Sequence, residues 1–506
     1  MKMHQSKNTI LFATLICLLL IAVNSLIAQS KQNAVIPDTP AGKQLKDWLR
    51  LFASGNQDDF VRFIAQRYSK SLLEQDTAID RADGQARAYL DSRGFDIRNI
   101  EKSTDEEITV LAQASLTGLW SCLTMKVEAQ QPYAITEYIR QRIHAPAGSQ
   151  RKLNERELVK EIKAFMNKLA AVDAFSGTVL VAKDGKPVYK TAIGMANKGY
   201  NIPNRIDTKL NVASIGKMFT AIAIMQLVEQ GKLLLTDTIG KLLPDHPNKQ
   251  AAVKVTIHHL LSHSSGMGDI HGPKYAAKAS SLREIRDYLP LFEDEPLLYE
   301  PGTRMQYSNT GYLLLGAIIE KVSGENYFDY VRNHILKPAG MINTDYYETD
   351  FDVPNLATGY TNWVERGDDY QDFHLGQRRN TLHHIGGVKG NSQGGAFSTA
   401  ENLFHFSVAL RGHKLLNAKS LELMTANKFF FRKYAADDVY YGYGFELQNL
   451  NGKRVIGHTG GDLGVSSALF WYPDSGNYTV IVLSNYDRGG IITIDKLQEL
   501  ILQTQK

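Results

Sequence analysis

The stretch NVASIGKMFTAIAIMQLVEQGKL, Asn211 to Leu233, is apolar almost all round, yet Ser214 and Lys217 stand at its start. In a helix, Ser214 and Lys217 share a face that continues through Ala221, Ile224 and Val228, so the lysine points where a core should be. Lysine is seldom buried without a partner or a task. A helical spacing of three brings the two Cβ atoms within roughly 5–6 Å. Serine becomes a nucleophile when a base takes its proton, and a lysine whose charged form is penalised by burial is such a base. Taken alone the pair also has a plain structural reading, Ser214 as a helix N-cap and Lys217 as a solvated amine on an apolar stem. The rest of the chain decides between the two.

With 506 residues, 43% hydrophobic and 22% charged, the chain has the composition of a soluble globular protein and the length of two or more domains. Its first segment places Lys2 and Lys7 before an apolar run of about 14 residues, Ile10 to Val23, and then small and polar residues. This predicts a secretory signal peptide over residues 1–29, cleaved near Ala28 or Ser30, with a run too short to span comfortably as a permanent helix. Cys17 follows Leu15 and Ile16, bulky where a lipoprotein signal wants a small residue, so no lipid or other stable membrane anchor is expected. The expected location is periplasmic or secreted. Loss of Lys2 and Lys7 takes the formal charge from +4 to +2, which gives no case for nucleic acid or an acidic membrane surface as partner. Cys122 is then the one cysteine left, so no intramolecular disulfide is expected.

Residues 37–147 read as a small α+β unit. Leu45, Trp48, Leu49 and Phe52 make one face of a first helix; Phe60, Phe63, Ile64 and Tyr68 suit a second. Strand-like runs follow, with Leu123, Met125 and Val127 alternating against Thr124, Lys126 and Glu128. Helices before a meander of strands resemble the NTF2-like cone fold, a likeness of pattern with no diagnostic motif. The stretch HAPAGSQRKLN reads as a linker, and a second unit is expected over residues 153–506. There Glu155 to Leu169 is an amphipathic helix, SGTVLVAKDGKPVYKTAIG a hairpin turning at Asp184 and Gly185, and the middle mostly helical. Strands return near the end, before a last helix. Strands at both ends predict one antiparallel sheet built from the two, with the central helices as a second lobe, in the α/β (α+β) class.

Two further motifs bear on Ser214 and Lys217. EPGTRMQYSNTGYLLLGAIIEKVSG carries Tyr307-Ser308-Asn309 before a strongly apolar helix, and GKRVIGHTGG carries His458-Thr459-Gly460 at the end of a strand. SxxK, YxN and [KH]TG in this order resemble the serine β-lactamase and DD-peptidase (penicillin-binding-protein-like) superfamily, in particular its class C β-lactamase-related branch. The likeness covers about residues 155–505 and includes VTIHHLLSHSSGM and GGAFSTAENLFHFSVAL. It implies an antiparallel sheet flanked by helices and the following roles. Ser214 would be the acylated nucleophile, Lys217 its base, and Tyr307 the residue that shares the proton and passes it to the leaving group. Asn309 would hold the substrate amide, His458 would sit opposite Tyr307, Thr459 would be a further substrate-binding residue, and the backbone N–H groups of Ser214 and Gly461 would form the oxyanion hole. Class C β-lactamases usually have lysine where this chain has His458. Histidine carries less reliable charge for a substrate carboxylate, which points away from efficient β-lactam hydrolysis.

Rival patterns have plainer readings. Ser149 and Lys152 repeat SxxK in the linker with no buried helix to hold them, and Tyr360-Thr361-Asn362 precedes Trp363 and a charged run, so both read as loop. Gly390-Asn391-Ser392-Gln393-Gly394 matches the GxSxG nucleophile elbow but lacks the buried strand that elbow needs, and reads as a Gly-rich loop. His259 and His263 have metal-ligand spacing without the accompanying carboxylates, so they read as core or capping histidines and no metal or cofactor is expected. The sequence therefore predicts an exported serine hydrolase forming an acyl-enzyme on an amide, ester or lactam carbonyl of a small molecule or peptide, cell-wall peptide among the candidates. D-amino-acid peptidase, DD-carboxypeptidase and esterase relatives fit best. A class C-type β-lactamase and a slowly deacylating penicillin-binding sensor are the alternatives.

Overall fold

The chain divides into two units, residues 1–152 and 153–506, in a computed structural model that describes residues 33–149, 151–366, 369–376, 378–381 and 388–504. The expected signal peptide lies outside the described residues. No helix among them is long and apolar enough to cross a membrane.

In the first unit, helix α1 (Pro40–Ser54) begins where Thr39 accepts the Gly42 N–H at 3.1 Å and stops at Gly55, whose φ of 66° suits a residue without Cβ. It buries Leu45, Trp48 and Phe52. Helices α2 (Gln57–Arg67) and α3 (Ala78–Ser92) follow, α3 opened by a reciprocal cap between Thr77 and Asp80. An antiparallel meander of β1 (Phe95–Ser103), β2 (Glu107–Ala114), β3 (Trp120–Val127) and β4 (Ile135–Arg142) completes the unit. Leu123, Met125 and Val127 of β3 all face its core.

The second unit opens with α4 (Glu155–Ala171) and the hairpin of β5 (Gly177–Lys183) and β6 (Lys186–Ile193). Its turn residues Asp184 and Gly185 both have positive φ, 47° and 73°, matching the right-handed twist of the two strands. The other strands come from the far end of the unit: β7 (Phe429–Tyr434), β8 (Asp437–Tyr441), β9 (Glu446–Leu450), β10 (Lys453–Asp462), β11 (Val465–Tyr472) and β12 (Tyr478–Ser484). They form one eight-stranded antiparallel sheet in the order β7-β8-β9-β10-β11-β12-β5-β6, so β12 pairs with β5 across nearly three hundred residues of chain. The opening stretch becomes a 3₁₀ turn, Ala213–Ile215, running into α5 (Gly216–Glu229). Because α5 is apolar on every side it is buried on every side, packing with the later helix α6 (Asn309–Ser323) and with Leu469, Ile481 and Leu483 of the sheet in a single core. That core fixes the base of the site.

Candidate active site

Ser214 sits in the 3₁₀ turn just ahead of α5 rather than within it, because Ala213 adopts a left-handed φ of 44° that tightens the entry to the helix. The turn is pressed against the sheet: the Ser467 hydroxyl donates to the Val212 carbonyl at 2.8 Å, and a Cβ on Gly460 would meet that same oxygen at 2.3 Å. Gly460 of the HTG motif is therefore glycine for close approach. A side chain on the following Gly461 would meet only open space, which leaves room there for a ligand.

Lys217, in the first turn of α5, is completely buried. Its Nζ lies 3.2 Å from Ser214 Oγ, 2.7 Å from Asn309 Oδ1 and 2.7 Å from the Gln393 carbonyl oxygen. The rings of Tyr307 and Tyr312 lie 4.8 and 5.5 Å from it. Desolvation pushes the lysine down to about pH 7, against the pull of the Asp269 carboxylate, which favours the ammonium. The amine is thus poised to be neutral. Two of its positions face carbonyl oxygens, which accept its two N–H bonds and leave its lone pair for the Ser214 hydroxyl.

The Gln393 carbonyl belongs to the GNSQG segment, and the expectation of a Gly-rich loop describes its shape but not its use. Asn391 and Gly394 exchange backbone hydrogen bonds at 2.8 and 3.0 Å, Thr220 of α5 donates to the Ser392 carbonyl at 2.6 Å, and Gly394 has a φ of 148°. A Cβ on Gly216 would lie 2.9 Å from Gly394 Cα, so two glycines let the loop rest on the helix start. Ser392 is fully buried, its hydroxyl without a partner among the described residues.

Tyr307 and Asn309 reach the site from the entry to α6. Burial pushes the Tyr307 phenol well above its usual range, against a hydrogen bond with Ser214 that pulls it the other way. The phenol therefore keeps its proton at neutral pH. Its ring stacks at 4.1 Å on His263, whose Nδ1 accepts the Ser308 N–H at 3.1 Å. His259 caps a helix by accepting the Thr256 N–H at 3.2 Å, and no group of three metal-ligating side chains exists among the described residues. Tyr360 accepts from the Lys198 N–H at 2.6 Å and Asn362 donates to the His374 carbonyl at 2.8 Å; both serve local structure.

His458 lies on β10 but its Nε2 meets the Tyr441 hydroxyl at 2.8 Å rather than Tyr307, with the Tyr441 ring edge-on to Tyr307 at 6.2 Å. Desolvation carries it down to about pH 4, although Glu446 favours its charged form. Glu446 is itself buried: it accepts the Thr459 N–H at 2.9 Å, the Thr459 hydroxyl, and an Arg432 N–H at 2.7 Å. Burial alone would raise its carboxyl, but the Arg432 guanidinium, the hydrogen bonds from Thr459 and Arg432, and His458 where it is charged outweigh that and hold it below the ordinary value. Breaking such a pair leaves an uncompensated charge, so Glu446→Gln costs about 3–5 kcal/mol of stability at pH 7. Because the depressed carboxyl stabilises the fold only while ionised, the gap to wild type closes as the pH falls through the carboxylate range. Urea unfolding of both proteins at pH 7 and pH 4 checks this; an equal gap at both would refute it.

Four groups of the site were not foreseen from the sequence: Asp269, which receives the Asn309 side chain, Tyr441, Glu446, and the Gln393 carbonyl of a segment read only as a loop.

Known proteins resemble the second unit. The family model Beta-lactamase matches residues 160–498. Penicillin-binding protein 4* of Bacillus subtilis (strain 168) is 32% identical over 333 residues, which cover 64% of this chain and 71% of that protein. A penicillin binding protein from Bacillus halodurans superposes with a TM-score of 0.58 at 32% identity, over 69% of this chain and 99% of that one. A D-stereospecific amidohydrolase from Streptomyces sp. superposes with a TM-score of 0.55 at 25% identity, over 68% of this chain and 98% of that one.

Proposed function

Because the chain belongs to the β-lactamase family of serine hydrolases, we propose that it is an exported enzyme that acylates Ser214 with the carbonyl of a D-amino-acid peptide, an amide or a small ester. The observation that carries this reading is the buried Lys217 amine, held by two carbonyl oxygens beside Ser214 Oγ. Ser214 Oγ attacks the carbonyl carbon as its proton passes to Lys217. The developing oxyanion is held by the backbone N–H groups of Ser214 and Gly461. Collapse breaks the bond to the leaving amine or alcohol, which takes a proton from the Tyr307 hydroxyl, and Lys217 returns a proton to Tyr307. Water enters by the reverse sequence and frees the acid. Asn309 and the open edge of β10 at Thr459 and Gly461 line the substrate side; the Thr459 hydroxyl donates its one hydrogen bond to the Glu446 carboxylate, so it offers the substrate lone pairs.

The neutral His458 sets the substrate preference. A β-lactam leans on a fixed positive charge for its carboxylate, and a buried imidazole that titrates at about pH 4 supplies none. Penicillins then act as slow acylating inhibitors. Residues 37–147 would be an accessory unit of NTF2-like kind: all the motifs of the site lie beyond it.

The test is intact mass of the mature protein after a fluorophosphonate or penicillin, then turnover of p-nitrophenyl esters, D-Ala-D-Ala peptides and nitrocefin from about pH 5.5 to 8.5. The expected result is one adduct, ester or D-peptide turnover, and slow nitrocefin hydrolysis with no gain toward the acid end. Nitrocefin hydrolysis rivalling the best ester rate would make the enzyme a β-lactamase.

A further inference from the structure

Asp269 lies in the connecting segment after HSSGM, outside every motif, yet it is bonded to the site from two directions. Its Oδ2 accepts the backbone N–H of Asn309 at 2.9 Å and the side-chain Nδ2 of the same residue at 3.0 Å, with Oδ1 at 3.4 Å. The segment is tied down on both sides: the Ser308 hydroxyl donates to the Gly268 carbonyl at 2.7 Å, and the His271 N–H to Asp269 Oδ1 at 3.1 Å. A primary amide has one acceptor end and one donor end. A carboxylate only accepts, so with Asp269 on one side the NH₂ of Asn309 turns toward it and the carbonyl oxygen turns toward Lys217 Nζ, 2.7 Å away. The reverse orientation would set a carboxylate against a carbonyl oxygen and an NH₂ against the lysine N–H bonds.

We propose that Asp269 is a positioning residue for acylation: by fixing the Asn309 amide it keeps an acceptor on Lys217, so that the lone pair of the amine is left for Ser214. This rests on the assignment of Ser214 and Lys217 above. Asp269 touches no substrate atom in this role; it acts through Asn309. It also supplies charge. The ionisable groups around Lys217 are Asp269, His263, His458, Tyr307 and Tyr312; burial keeps the two histidines and the two tyrosines neutral. Around Asp269 itself stand His271, whose Nε2 is 4.0 Å away, and the phenols of Tyr275 and Tyr307, both of which feel its charge. Asp269 is therefore the carboxylate that favours the ammonium form of Lys217.

Those two roles separate in the pH profile. The test measures kcat/KM for a p-nitrophenyl ester against pH in wild type, Asp269→Asn, Asp269→Ala and Asp269→Glu, each normalised to active sites titrated with a fluorophosphonate. Asp269→Ala is expected to lose about 10²-fold per titrated site, the scale of a misplaced catalytic group. Asp269→Asn keeps an acceptor for the Asn309 amide but not the charge, so it loses less, and its acid limb moves down by roughly half to one pH unit because Lys217 loses the carboxylate that favours its protonation. Asp269→Glu restores the wild-type limb. If all variants match wild type per titrated site with the acid limb unmoved, Asp269 is only a loop anchor and the proposal is wrong. If wild type itself takes no fluorophosphonate on Ser214, the catalytic assignment fails and this inference with it.

Discussion

Ser214→Ala abolishes covalent labelling and lowers kcat by about 10⁶-fold, the scale found when the nucleophile of an acyl-enzyme mechanism is removed. The fold is expected to survive, since Ser214 stands in a turn whose other contacts are made by the backbone and by Val212, Ala213 and Ile215. Ser392→Ala is the paired control. Its hydroxyl is buried without a partner among the described residues, packed so tightly on Gly316 that a Cβ there would lie 2.4 Å from it, and no substrate can reach it. Removing an unpartnered buried hydroxyl leaves labelling intact and stability nearly unchanged. Intact mass after fluorophosphonate treatment decides: an adduct that survives Ser214→Ala and disappears in Ser392→Ala would hand the chemistry to the GNSQG segment.

That contrast shows what the sequence could and could not carry. The serine and lysine were legible because a helix places residues three apart on one face, and a charge on an all-apolar helix demands a reason. The sheet from two chain ends was legible because alternation and turn signals mark strands wherever they stand, with Asp184-Gly185 the plainest of them. The carbonyl of Gln393 was not legible, because a backbone acceptor looks the same in every residue; only the fold brings a loop 176 residues later under Lys217. Asp269 was hidden for a similar reason. Its partner Asn309 was in a motif, but nothing in the segment GMGDI tells which loop will fold against the start of α6. His458 was found by its motif, whereas its environment was not, since Glu446 reaches it from the adjacent strand and Tyr441 from the strand beyond that. Strand pairing sets the direction of a side chain, and the imidazole it turns inward loses the charge that a motif alone would leave open.

Lys217→Met separates the two consequences of burying that amine. Loss of the base costs about 10²–10⁴-fold in kcat/KM, and the wild-type profile, which falls below about pH 7 as the lysine protonates, loses that limb in the variant. Stability moves differently. An ordinary lysine titrates near 10.5 and this one at about 7, so between those values the unfolded chain binds a proton that the folded chain does not. Stability of the wild type therefore rises with pH across that window, by on the order of 5 kcal/mol in total. Below about pH 7 both states are charged and the wild type bears the full cost of burying an ammonium. Methionine has no such cost, although it leaves Asn309 Oδ1 and the Gln393 carbonyl without their donor, a loss of roughly 1–3 kcal/mol each that does not depend on pH. The sign of the difference at neutral pH is set by that balance, but its slope is not: the wild type gains on the variant steadily from pH 7 to pH 10. Urea unfolding of both proteins at pH 6, 7, 8.5 and 10 measures it. A stability difference that stays constant over this range would mean that Lys217 is charged in the folded enzyme throughout, and a protonated amine could not be the base that takes the proton of Ser214.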